Sequence, residues 1–76
     1  MQKNHAIFHA VPSILGGTPV FTGTRVPIAT LMDYLEAGDS IDLFLYDFPS
    51  VGREQVVAFL EYAKREALET AAPPKN

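Results

Sequence analysis

Arg25 is the residue of this sequence with the clearest chemical potential, since it lies between Thr24 and Val26 in a segment without acidic residues. Its planar guanidinium can bind a carboxylate or a phosphate through two parallel hydrogen bonds. The sequence therefore predicts that Arg25 contacts either a phosphate or the carboxylates of a partner protein. The alternative is an ion pair inside the chain, with Asp33 or Asp47 as the acid.

A wider set of polar residues could contact DNA, namely Thr24, Arg25, Ser50, Arg53 and Lys64. Ser50 and Arg53 lie at the predicted start of the last helix. In a helix-turn-helix protein this part of the second helix of the motif meets base edges, and its N–H groups meet phosphate. The cations here are few, so a solvated helix start is the alternative interpretation.

The charged residues of segment 28–50 are all acidic, since this segment contains no basic residue. Such a surface repels phosphate and can dock on a basic partner. Asp39 and Asp42 are therefore predicted, together with Arg25, to contact a partner protein. Their spacing is not that of a calcium-binding loop, and no nucleophile or base accompanies them. A solvated acidic helix face is the alternative.

A metal site is not predicted. His5 and His9 are four residues apart in a segment typical of a strand, where such positions lie about 13 Å apart. No third ligand is apparent, and the chain has no cysteine to supply a thiolate or a disulfide. No cofactor is predicted either.

The length and composition limit the classes of function that this chain can have. The chain has 76 residues, of which 47% are hydrophobic, and a net charge of −3. This is enough for one small domain and points to binding or assembly rather than to an enzyme. No apolar run approaches the roughly 18 residues of a membrane span, and no secretory signal is predicted. The expected location is the cytoplasm.

The chain divides near Pro27 into an N-terminal β arm or hairpin, residues 1–26, and a bundle of three helices, residues 27–69. Residues 70–76 are predicted to form a flexible tail. The first helix should begin at Pro27 or Ile28 and close at Gly38. Ser40 should cap the second helix, which Pro49 ends.

The last helix should have Gly52 as its N-cap, with Gln55 reaching back as in a capping box. The predicted fold class is mainly α, a three-helix helix-turn-helix domain with a short N-terminal β arm. The short turn before the last helix is the feature that suggests the helix-turn-helix.

The arm contains three short runs typical of β structure: Ala6–Ala10, Thr18–Phe21 and Arg25–Val26. A hairpin is predicted between the last two, because the three residues that separate them have glycine at the centre. The arm is too small to bury its aromatic side chains alone. Phe8, Val20 and Phe21 are therefore predicted to form the interface of a homodimer. The alternative is that the arm packs onto the third helix.

Four segments together resemble a known family. They are the block Gly16–Ile28, with its Gly-Gly-x-Pro turn and its Gly-Thr-Arg-apolar-Pro-apolar pattern, then Leu35–Ser40, Asp47–Pro49 and Leu60–Ala63. The sequence is similar to family 433 of the domains of unknown function, classed with VapB-type antitoxins, over about residues 7–67. Family members often carry Thr or Ser where this chain has Gly52, and an acid where it has Gln55.

The resemblance implies a homeodomain-like or winged-helix-like fold and the role of antitoxin in a toxin–antitoxin pair. A PIN-like nuclease would be the toxin partner, and operator DNA a possible second ligand. In such a nuclease Arg25 would meet the metal-binding carboxylates. The alternative is a protein-interaction or assembly module that does not bind DNA, which the acidic middle of the chain favours.

Overall fold

The computed structural model of the protein describes residues 7–10 and 15–71. Within these ranges the elements are β1 Phe8–Ala10, a 3-10 segment Leu15–Gly17, β2 Pro19–Phe21, α1 Ile28–Glu36, α2 Ile41–Asp47 and α3 Arg53–Thr70. The protein is mainly α with three helices and a short β arm, as predicted. Of the predicted tail, Thr70 still belongs to α3, and residues 72–76 lie outside the described ranges.

β1 and β2 form a two-stranded antiparallel sheet in which Phe8 lies opposite Phe21. The predicted hairpin between β2 and Arg25–Val26 forms, but it is minimal: the N–H of Phe21 donates to the carbonyl of Val26 at 3.0 Å, and Val20 makes an isolated antiparallel bridge with Pro27. Proline has no N–H group to continue the ladder, and its fixed φ suits the helix that follows.

The ends of the helices lie where the sequence predicts them. α1 closes in a Schellman motif, in which Gly38 has a φ of +86° and the N–H of Asp39 donates to the carbonyl of Tyr34 at 2.9 Å. Ser40 caps α2, since its hydroxyl accepts from the N–H of Leu43 at 3.0 Å. These ends fix the short connection that turns α2 back against α1.

Aromatic rings fill much of the interior. Phe21, Leu31, Phe44 and Val56 are fully buried. The rings contact one another in series, with the centroids of neighbours 5.4–6.3 Å apart, in the order Tyr62, Phe8, Phe59, Phe21, Phe44, Tyr34 and Phe48. Most of these contacts are edge-on, an arrangement that ring quadrupoles favour. The series ties the arm and all three helices together.

The arm packs inside the domain. Val20 and Phe21 have no exposed surface, and the ring of Phe8 lies 5.9 Å from that of Phe59 in α3. The assignment of Val20 and Phe21 to a dimer interface is therefore wrong, because a side chain that one chain buries completely offers no surface to a second copy. The alternative prediction, packing of the arm onto α3, is the arrangement found.

α3 is supported by the rest of the domain over only part of its length. Its first half contributes the buried residues Val56 and Phe59 to the core. Residues 64–71 are all exposed, although the helix continues to Thr70. The second half of α3 therefore extends beyond the body of the described domain.

Candidate functional site

The turn that carries Arg25 is fixed by the hydroxyl group of Thr24. This hydroxyl donates to the carbonyl of Phe21 at 2.9 Å and accepts the N–H of Val26 at 3.0 Å. Gly23, with a φ of +82°, supplies the left-handed backbone that the turn requires. Thr24 is also buried. Its assignment as a DNA contact is therefore wrong, because the hydroxyl is already used inside the protein.

Gln55 ties the start of α3 to the same turn. Its side-chain oxygen accepts from the N–H of Gly52 at 2.9 Å, which is the half of the capping box that the sequence predicts. Its side-chain nitrogen donates to the carbonyl of Thr22 at 3.0 Å. The turn beside Arg25 is therefore held by its own hydrogen bonds and by α3.

An open groove of about 630 Å³ lies beside this turn. Its lining combines apolar surface with a guanidinium, an imidazole and hydroxyl groups, and comes from His9, Gly23, Thr24, Arg25, Val26, Pro27, Phe48 and Ser50. In the part of the chain that the structure describes, no carboxylate belongs to this lining. A ligand that combines a negative charge with an apolar group is complementary to such a surface.

Arg25 is exposed and forms no ion pair with the described residues. The predicted alternative, an internal pair with Asp33 or Asp47, is wrong, since Asp47 instead accepts the hydroxyl of Tyr34. The guanidinium therefore keeps its full capacity for an external carboxylate or phosphate. Ser50, another of the predicted DNA contacts, lines the same groove.

The hydrogen bond between Tyr34 and Asp47, 2.5 Å long, joins α1 to the end of α2. Because the hydroxyl donates to a carboxylate, loss of its proton would leave two negative oxygens in contact. This bond is the main reason that the pKa of Tyr34 is raised. Desolvation and the charges of Asp47 and Asp39 raise the pKa further. Asp39 is thus an exposed residue that acts on this pair and does not line the groove.

Arg53 and Asp42 form an ion pair that links α3 to α2. Their side chains are 59% and 77% exposed, so the pair stabilises the fold by no more than about 1 kcal/mol. The sequence assigns Arg53 to DNA and Asp42 to a protein partner, whereas the structure pairs them with each other. In a DNA complex Arg53 would have to exchange this carboxylate for a phosphate.

Lys64 lies on the second half of α3, 3.8 Å from the carboxylate of Glu61. It is not part of the groove lining. Of the residues predicted for DNA, the structure therefore brings only Arg25 and Ser50 together with accessible side chains. The sequence does not predict the groove, because its lining joins His9 and Phe48, which are far apart in the chain, to the residues of the turn.

No three His, Asp or Glu side chains of residues 7–10 and 15–71 are grouped so that they could hold a metal ion. His9 supplies the imidazole of the groove, and its predicted companion, His5, lies outside the described residues. Among the described helices, none has the length and apolar composition that crossing a membrane requires.

Comparison with known proteins supports the relationship that the motifs suggest. An uncharacterised protein of Sinorhizobium fredii, y4eO, is 40% identical to this chain over 57 residues. The matched part covers 75% of this chain and 26% of that protein, so the chain spans about a quarter of the length of this relative. No solved structure is significantly similar to the chain. Residues 9–63 match the family described as protein of unknown function, DUF433, and the chain belongs to that family.

Proposed function

We propose that the protein is the antitoxin of a type II toxin–antitoxin pair, and that it binds and neutralises a PIN-like nuclease without catalysis of its own. The observation that carries the proposal is the position of Arg25, an exposed guanidinium with no carboxylate partner among the described residues, beside an apolar groove. A metal-dependent nuclease presents carboxylates in its catalytic groove. Carboxylates are the groups that a guanidinium binds bidentately.

Beside the charged guanidinium of Arg25, the groove offers the partner an apolar surface. Val26, Pro27 and Phe48 line it beside Arg25. We expect the partner to place an apolar side chain in the groove while its carboxylates meet the guanidinium. The hydrogen bonds of Thr24 and Gln55 hold the turn in advance. Less conformational entropy is then lost on binding.

Operator DNA is the second candidate ligand, and the position of Ser50 favours it. Its hydroxyl and the guanidinium of Arg25 line one groove, and both groups commonly contact phosphate. The position of Arg53 argues against DNA binding, because its guanidinium already forms an ion pair with Asp42. The net charge of −3 also opposes general attraction to a polyanion. The alternative is therefore a protein-interaction module that binds no DNA.

Titration calorimetry with the purified product of the neighbouring gene tests the first candidate. Arg25→Ala should weaken binding by about tenfold or more, since a hydrogen bond to a charged group contributes about 1.5–3 kcal/mol. Arg25→Lys should recover part of the affinity, because it keeps the charge and loses the bidentate geometry. Arg53→Ala is the matched control, an exposed arginine outside the groove. Equal affinity of the wild type and Arg25→Ala would reject the assignment.

Fluorescence anisotropy tests the second candidate, with DNA from directly upstream of the protein's own coding sequence. Unrelated DNA of equal length is the control, and both are titrated at low and at physiological salt. Preferential, salt-sensitive binding that Arg25→Ala reduces would support operator recognition through the groove. No binding, or equal binding to both DNAs, would remove unaided operator recognition and leave the protein partner.

A further inference from the structure

A second face of α3 carries side chains that the described domain leaves uncovered. The helix packs on the core through Val56 and the residues one and two turns beyond it. About 100° farther round the helix lies an outer stripe at spacings of four, three and four residues, which consists of Val57, Glu61, Lys64 and Leu68. Val57 and Leu68 are 47% and 66% exposed. The two charged side chains between them are about equally exposed, at 60% and 64%.

The second half of α3 needs a surface to pack against. Residues 64–71 are exposed throughout. Short helices are marginal in water, and most helical stability in proteins comes from packing of an apolar face. Leu68 is the large apolar side chain of this segment, and no described residue covers it. Residues 7–10 and 15–71 therefore do not supply the surface that would stabilise this part of the helix.

The order of the outer stripe indicates what that surface is. From either end it runs apolar, charged, charged, apolar, with an acid and a base at the centre. If a second copy of α3 lies antiparallel, Val57 of one copy faces Leu68 of the other, and Glu61 faces Lys64. Two-fold symmetry repeats both contacts. We infer that the outer stripe is the interface of an antiparallel homodimer of this chain.

This arrangement leaves the groove beside Arg25 accessible. Gln55 points from α3 to the turn that carries Arg25. Val57 follows two residues later and projects about 200° round the helix, from nearly the opposite side. Each copy in the dimer can therefore bind its own partner. The dimer interface does not depend on what that partner is.

Charge reversal at the two central positions of the stripe tests the dimer with the full chain. Glu61→Lys gives a stripe with two bases, and Lys64→Glu gives one with two acids, so each variant repels its own copy. When the two variants are mixed, every base faces an acid. Sedimentation velocity should give a monomer for each variant alone, and a doubled mass for the wild type and for the mixture.

Glu66→Lys is the matched control, because it makes the same change of charge on the other side of the same half of α3. Its mass should stay doubled. Circular dichroism of the two single variants should keep a cooperative unfolding transition, with any loss of helix signal limited to the second half of α3, which separates loss of the interface from loss of folding.

Cysteine variants test the direction of pairing, since the chain has no cysteine of its own. In the antiparallel dimer the two copies of Val57 are about 16 Å apart along the helix axis, too far for a disulfide. Val57→Cys mixed with Leu68→Cys should therefore form a mixed disulfide, whereas neither variant alone links to itself.

Two results would overturn the inference. One is a wild-type protein that stays monomeric up to near-millimolar concentration. The other is a mixture of Glu61→Lys and Lys64→Glu that forms no heterodimer. A disulfide between two copies of Val57→Cys would overturn the antiparallel arrangement.

Discussion

The turn at Arg25 and the junction of α2 with α3 each carry one exposed arginine, yet the two arginines are in opposite situations. At the turn, a buried hydroxyl and a glutamine from α3 hold the backbone, and the guanidinium of Arg25 is left unpaired among the described residues. At the junction, the guanidinium of Arg53 is itself engaged, in an ion pair with Asp42 that joins α3 to α2. The guanidinium of an arginine is thus available to a partner where other groups stabilise the local structure.

The largest expected effect is that of truncating a side chain in the hydrophobic core on which both regions depend. Phe21 starts the turn, and its ring contacts those of Phe44 and Phe59. Phe21→Ala should reduce the free energy of unfolding by about 3–5 kcal/mol, enough to leave a small domain barely folded. Urea unfolding followed by circular dichroism measures this loss. Tyr46→Ala, at a ring that is 82% exposed, is the control and should change stability by less than about 0.5 kcal/mol.

Removing the hydroxyl of Thr24 acts on the turn alone. Thr24→Val keeps the shape of the side chain but leaves the N–H of Val26 without its acceptor, and should cost about 1–3 kcal/mol. Thr24→Ser keeps the hydroxyl and should cost less. Urea midpoints of the three proteins give the order. A valine variant as stable as the wild type would mean that the hydroxyl does not hold the turn.

Substitution of the two arginines should lower the free energy of unfolding by different amounts. Arg53→Ala should cost up to about 1 kcal/mol, and the loss should shrink in high salt because the pair with Asp42 is exposed. Arg25→Ala should change stability by less than about 0.5 kcal/mol. A double-mutant cycle of Arg53→Ala with Asp42→Ala measures the coupling directly. A greater loss from Arg25→Ala than from Arg53→Ala would reverse the comparison.

The smallest expected effect is at the exposed bond between Tyr34 and Asp47, and it is a pH dependence. The pKa of Tyr34 in the folded protein is raised above its ordinary value of 10.0. The stability that this bond adds is therefore fully present below pH 10 and is lost as pH rises through the raised pKa. Ultraviolet titration of tyrosinate should show one tyrosine ionising late, and Tyr34→Phe should remove that step. A late step that persists in Tyr34→Phe would assign it to another tyrosine.

Local sequence signals were sufficient for the helices. The cap of Ser40, the positive φ of Gly38 and the contact of Gln55 with Gly52 each depend on residues within a few positions of one another. Such bonds follow from short-range rules and can be predicted without knowing the tertiary structure.

Contacts between residues far apart in the chain could not be predicted from local sequence signals. The bond from Gln55 to the carbonyl of Thr22 and the pairing of β1 with β2 depend on how the arm folds back across α3. The same limit applies to the site. Sequence identified Arg25 by its residue type, but only the structure shows that its guanidinium is unpaired among the described residues while that of Arg53 is not.

The series of ring contacts also gives the protein a built-in spectroscopic reporter. The chain has no tryptophan, so its fluorescence says little about its interior. The methyl groups of Leu31 and Val56, however, are fully buried in the same cluster as several of the edge-on and tilted rings. Ring currents should shift their proton resonances away from the crowded methyl region. A simple one-dimensional spectrum can therefore follow the interior while partners are titrated onto the surface.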